Sequence, residues 1–132
     1  MTDANQSLAA VLVVDDEADM VATYYRLLGR RGHRVLTATT CSQALAVVDS
    51  EPLALVVADL RLPDGNGLEV VRAARIKKTA PPVVVVTGYA SEASRRQALE
   101  AGAAAYLTKP FKLGTFVELV NALLQSRPSA SP

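Results

Sequence analysis

Scarcity marks this sequence first. It contains no Trp, one Cys, one His, and only two Phe and four Tyr in 132 residues. A lone Cys41 can form neither an internal disulfide nor a multi-cysteine metal site. Together with the lack of a secretory signal it points to a reducing compartment, so a cytoplasmic location is expected. His33 falls at a helix-to-strand turn rather than on an exposed bundle helix, which makes it a poor carrier of a phosphoryl group. No apolar run approaches the eighteen or so residues of a membrane span. Fourteen basic residues nearly cancel thirteen acidic ones, so the overall charge does not suggest direct binding to nucleic acid. A Gly-rich loop is missing after the first apolar run. A flavin- or nucleotide-binding module would want Gly, Ser and Thr there, and this chain has acid instead.

What is present is a regular alternation. Short apolar runs at 10–14 (AVLVV), 34–38 (RVLTA), 54–58 (ALVVA), 83–86 (VVVV) and 104–107 (AAYL) are separated by helical patterns. Three of the five runs are continuously apolar, as strands covered by helices on both faces are, so the sheet should be parallel. Met20, Val21, Tyr24, Leu27 and Leu28 recur at helical spacing and stop at Gly32. Leu113, Phe116, Val117, Val120 and Leu124 mark the core stripe of the last helix. Helices at 43–50, 67–77 and 92–101 complete a (βα)5 α/β pattern. Right-handed crossovers then place helices on both faces of an open five-stranded sheet, commonly in the order 2-1-3-4-5. Residues 1–7 and 127–132 carry too little apolar surface to pack and are expected to be disordered. Residues 8–126 form one domain.

In such a sheet ligands bind beyond the carboxyl ends of the strands, where strand order reverses. Asp15 and Asp16 end the first strand, Asp59 the third, Thr87 the fourth and Lys109 the fifth, so all five share one rim. At about 5 Å and an effective dielectric near 20, each carboxylate pair costs roughly 3 kcal/mol, and the site should hold protons or attract a cation. With oxygen ligands only, Mg²⁺ is favoured over Zn²⁺ and suits phosphoryl chemistry. A preformed phosphate would be repelled by so much acid. An Asp that itself becomes phosphorylated removes that contradiction.

The stretches VVDDEAD, ADLRLPDGNGLEV, VVVVTGYA and AYLTKPF resemble the successive motifs of the receiver domain of two-component response regulators. The likeness covers residues 8–126 and implies a three-layer, flavodoxin-like fold. The strand order above is known from a member of that family, so the two expectations are one inference. The resemblance implies Asp59 as the phosphoacceptor, serving a histidine kinase or histidine phosphotransfer protein. It implies Asp16 as a direct Mg²⁺ ligand, Asp15 acting mainly through metal-bound water, and the Arg61 carbonyl and Asp59 as further ligands. Thr87 would follow the phosphoryl group, Lys109 would pair with its oxygens, and Tyr106 would change rotamer on activation. The Lys109–Pro110 bond would be cis. Arg61 and Tyr89 occupy positions that resemble modulators of hydrolysis rate. The implied activity is self-modification by a phosphoacceptor signalling domain rather than turnover of a substrate. The output would be a helix 4, strand 5, helix 5 surface used for homodimerisation or effector docking. The sequence leaves open a stand-alone regulator or the receiver of a longer one.

Plainer explanations exist for each residue. Asp15, Asp16 and Glu17 could serve a helix N-terminus, an effect well under about 1 kcal/mol each. Pro63, Gly65 and Gly67 read as turn chemistry. Cys41 is read as structural, lying before helix 2, and the run 72–78 (RAARIKK) as a solvated helix face. Leu119 is read as peripheral core, the alternative being that it belongs with Arg95, Arg96, Tyr106 and Glu118 to the helix 4, strand 5, helix 5 face. A phosphatase acting through an aspartyl phosphate would want an acid two residues after its nucleophile, where this chain has Arg61.

Overall fold

The computed structural model describes residues 9–126. The segments expected to be disordered, 1–7 and 127–132, lie outside the described residues. Five strands, β1 (Ala10–Val14), β2 (Arg34–Ala38), β3 (Leu53–Asp59), β4 (Val83–Thr87) and β5 (Ala105–Thr108), form one parallel sheet. Its order is β2-β1-β3-β4-β5, the order expected with the family resemblance. Five helices separate and follow the strands: α1 (Ala18–Gly29), α2 (Cys41–Ser50), α3 (Gly67–Arg75), α4 (Glu92–Ala101) and α5 (Leu113–Ser126). A minimal antiparallel ribbon of Arg61–Leu62 and Gly65–Asn66 bridges β3 to α3.

The period of two along each buried strand builds the three layers. Ala10, Leu12 and Val14 of β1, with Val83 and Val85 of β4, face the cluster that includes Ala44, Val48, Val70, Ala74 and Ala98 of α2, α3 and α4. Val11, Val13, Val84 and Val86 face the opposite cluster, with Tyr24 and Leu28 of α1 and Phe116 and Val120 of α5. Burying both faces consumes nearly every side chain of the inner strands. Polar residues are therefore left to the strand ends.

Helix boundaries follow local chemistry. Ser91 Oγ accepts from the Ser94 N–H at 3.0 Å and starts α4. Gly102 ends it at φ +113°, where a Cβ would also strike Arg75. Helix α3 stops at Arg75, two residues short of the expected 77, and Ile76 is exposed. Lys77 is not part of a solvated face: its ammonium donates to the carbonyls of Val48 at 2.5 Å and Glu51 at 3.3 Å, at the end of α2. Helix α2 starts at Cys41, so this residue opens the helix rather than preceding it. Leu113 is exposed, against the expected core stripe, because it occupies the first position of α5, ahead of the buried Phe116 and Val117. Among the described residues no helix is long and apolar enough to cross a membrane.

Candidate functional site

The rim is assembled by the parallel ladders. The Asp15 N–H donates to Ala38 O at 3.1 Å, extending the β1–β2 pairing one residue beyond β1. Asp59 is the last residue of β3 and Thr87 the last of β4. Lys109 follows β5 directly, and its N–H donates to Thr87 O at 2.8 Å. The peptide bond from Lys109 to Pro110 is cis.

Lys109 is the centre of the site. Its ammonium lies 2.9 Å from Asp15 Oδ2, 3.0 Å from Glu17 Oε1 and 3.0 Å from Asp59 Oδ2. The carboxylates of Asp15, Asp16 and Asp59 place ligand oxygens within 4.8 Å of one another. Mutual repulsion among them is thus offset from within the chain. Burial raises the Asp15 carboxyl above its ordinary value; the Lys109 hydrogen bond and the Glu17 N–H, which reaches Asp15 Oδ1 at 2.9 Å, oppose that rise. For Lys109 burial favours the neutral amine, yet its hydrogen bonds to Asp15, Asp59 and Glu17 prevail and raise its pKa.

Asp59 is held from below and from the side. The Arg61 N–H donates to Asp59 Oδ1 at 3.1 Å. Gly67 packs so closely beneath that an added Cβ would sit 2.1 Å from the Asp59 carbonyl oxygen. That approach, more than turn geometry, demands glycine there. Thr87 is fully buried, and its Oγ1 accepts from the Tyr89 N–H at 3.0 Å. The Arg61 guanidinium lies 3.8 Å above the Tyr89 ring. These two residues, with Asp16, Glu17, Asp59, Gly88 and Lys109, line an open cleft of about 450 Å³. Tyr106 stands apart from the cleft, half-buried, with its hydroxyl hydrogen-bonded to Ser94 Oγ of α4.

The structure therefore brings Asp15, Asp16, Asp59, Arg61 and Lys109 together, sets Thr87 behind them and Tyr106 on the next face. Two contributors are not legible from the sequence alone. In the sequence Glu17 is one acid in an acidic run, and nothing local shows that its partner lies 92 residues away. Asp64 lies inside the turn between Pro63 and Gly65. Its carboxylate accepts from the N–H groups of Cys41 at 2.7 Å and Ser42 at 2.9 Å, while Thr40 Oγ1 takes the Gln43 N–H at 3.1 Å. The loop after Asp59 is thereby tied to the start of α2.

A family model of the response regulator receiver domain matches residues 11–121. The chain belongs to this family. It is 37% identical over 123 residues to the photosynthetic apparatus regulatory protein RegA of Rhodobacter capsulatus, covering 93% of this chain and 65% of RegA. A CheY-like receiver domain from Methanospirillum hungatei superposes with a TM-score of 0.86 at 31% identity, covering 91% of this chain and 96% of that one. A Burkholderia pseudomallei response regulator, solved with a phosphorylated aspartic acid, a calcium ion and citrate, gives 0.78 at 34% identity, covering 89% and 67%. The chain spans between 26% and 65% of the length of the first curated relatives it matches.

Proposed function

We propose that this receiver domain takes a phosphoryl group onto Asp59 from a histidine kinase or histidine phosphotransfer protein, in a reaction that requires Mg²⁺. The observation that carries this is the junction of Lys109, Asp15 and Asp59 at the strand rim, with Asp59 facing an open cleft. The phosphorylated aspartic acid of the Burkholderia relative supports it. An Asp59 oxygen would form the O–P bond as the P–N bond of the phosphohistidine breaks. The electron pair stays with the ring nitrogen, and the protonated ring leaves as neutral imidazole. Lys109 then pairs with the phosphoryl oxygens, and hydrolysis by water returns the carboxylate and releases inorganic phosphate.

The all-oxygen donor set of Asp15, Asp16 and Asp59, closely grouped, fits a hard divalent cation. Asp16 would be a direct ligand, with Asp59 and the Arg61 carbonyl, and Asp15 would act mainly through water. When bound, the cation would screen the carboxylates and the transferring charge. Arg61 and Tyr89, stacked at the cleft mouth, would limit the approach of water and so modulate the lifetime of the product. Thr87 would turn from the Tyr89 N–H toward the new phosphoryl oxygens. Tyr106, tied to Ser94, would report that movement to the α4–β5–α5 face, where a second copy or an effector docks.

Intact-mass measurement after incubation with acetyl phosphate and Mg²⁺ tests this reading. One alkali-labile phosphoryl group is expected on the wild-type chain and none on Asp59→Asn, whose amide is a far poorer nucleophile. A metal-independent adduct, or equal yield in the variant, would contradict it.

A further inference from the structure

Lys109 has three ammonium protons, and all three are engaged by Asp15, Glu17 and Asp59. No donor is left over for a phosphoryl oxygen. One of the three contacts must open when the group arrives, and they differ greatly in how easily they can. The Asp15 side chain is 1% exposed, so losing Lys109 would strand a buried charge. The Asp59 side chain is 10% exposed, and its bond to Lys109 is altered by the reaction itself. The Glu17 side chain is 62% exposed and would be rehydrated at small cost.

A second observation concerns the same side chain. Glu17 is the N-cap of α1, a position that favours Ser, Thr, Asp or Asn because a short side chain can accept from the first turn. Glu17 makes no such capping bond, and its carboxylate reaches Lys109 instead. A local preference is broken where a contact across the site is made, which is where function rather than folding sets the residue.

We infer that Glu17 is a positioning residue that occupies the Lys109 donor until a phosphoryl oxygen displaces it, so that the resting site opposes its own modification. The inference rests on the proposed phosphoacceptor chemistry and adds to it an internal competitor. Glu17 does not touch the reacting atoms. It acts through Lys109, and its charge at the cleft mouth also repels the anionic group.

Two variants test this. Glu17→Gln keeps the size and removes the charge; Glu17→Ser removes the reach to Lys109 and supplies a better helix cap, so loss of folding is not its expected effect. Binding of beryllofluoride in the presence of Mg²⁺, followed by NMR shifts of residues 87–109, should tighten about two- to fivefold in both variants at low salt, the range an exposed ion pair commands. The advantage should shrink as salt is raised, because that pair is screened. With acetyl phosphate, the half-saturating concentration should fall by a similar factor. Unchanged or weaker beryllofluoride binding in both variants overturns the inference. So does a loss of Mg²⁺ affinity on the order of tenfold without beryllofluoride, which would make Glu17 a support of the metal site rather than a competitor for Lys109. A wild-type chain that gains the phosphoryl group while the variants show no advantage removes this inference alone. A wild-type chain that takes neither phosphoryl nor beryllofluoride removes the phosphoacceptor reading, and this one with it.

Discussion

A carboxylate at the buried end of a strand loses most of its hydration, and at Asp15 the single ammonium of Lys109 must compensate it while also serving Asp59 and Glu17. Burial is the largest influence on Asp15 and raises its pKa above the ordinary 3.8. The folded state therefore binds the Asp15 proton more readily than the unfolded chain does. Stability from that proton is present below the ordinary value and is lost as pH rises through the folded one. At neutral pH the ionised Asp15 is a net cost to folding. Asp15→Asn should consequently melt at a higher temperature than wild type at pH 7, and the difference should close as pH is lowered toward 3.8. Thermal unfolding of both proteins between those limits checks it. A variant less stable than wild type at pH 7 would mean that the ion pair outweighs the burial.

The elements carry tensions of their own. Helix α1 buries Tyr24 against Phe116, with ring centroids 5.2 Å apart, and its hydroxyl has no hydrogen-bond partner among the described residues. An unsatisfied buried hydroxyl costs on the order of 1–3 kcal/mol, so Tyr24→Phe should stabilise the domain by about 1 kcal/mol or more, read from urea midpoints at constant slope. Equal midpoints would indicate that the hydroxyl is satisfied in solution. Helix α3 starts at Gly67, against the Asp59 carbonyl. Gly67→Ala forces backbone apart and should destabilise by about 1–3 kcal/mol. Because the displaced backbone is that of Asp59, the rate of modification by acetyl phosphate should fall along with stability. An unaltered rate in a folded Gly67→Ala chain would argue that Asp59 is positioned from elsewhere.

At the scale of the whole molecule, the site and the proposed output surface are joined through β4 and β5. Thr87 ends the one, Tyr106 lies in the other, and Lys109 is hydrogen-bonded across to Thr87 O. Strand β5 is an edge strand, and α4 and α5 carry the exposed Arg95, Arg96 and Glu118. Leu119 is half-buried. It packs against the α1–α5 cluster, in keeping with its reading as peripheral core. Beryllofluoride with Mg²⁺ should therefore alter amide exchange from Thr87 through α4, β5 and the exposed residues of α5, with little change along the outer face of α1. Changes confined to α2 and α3 would sink the proposed route.

The parallel sheet and its polar rim were legible in the sequence because two-sided burial leaves an unbroken apolar run and expels polar residues to the strand ends, while the strand order came with the family resemblance. Asp15, Asp59, Thr87 and Lys109 could thus be placed without coordinates, and four ordered motifs named the family. Boundaries were legible to within two residues, since they depend on caps supplied from elsewhere: α2 takes its first two N–H partners from Asp64, in the loop after β3. What only the tertiary structure decided was partnership. Glu17 reads as one acid among four, Lys77 as one cation in a basic run, and Gly67 as a turn residue. Their roles come from an ammonium, two carbonyls and a backbone oxygen that local periodicity does not encode, because each contact is made by chain segments brought together only when the sheet closes.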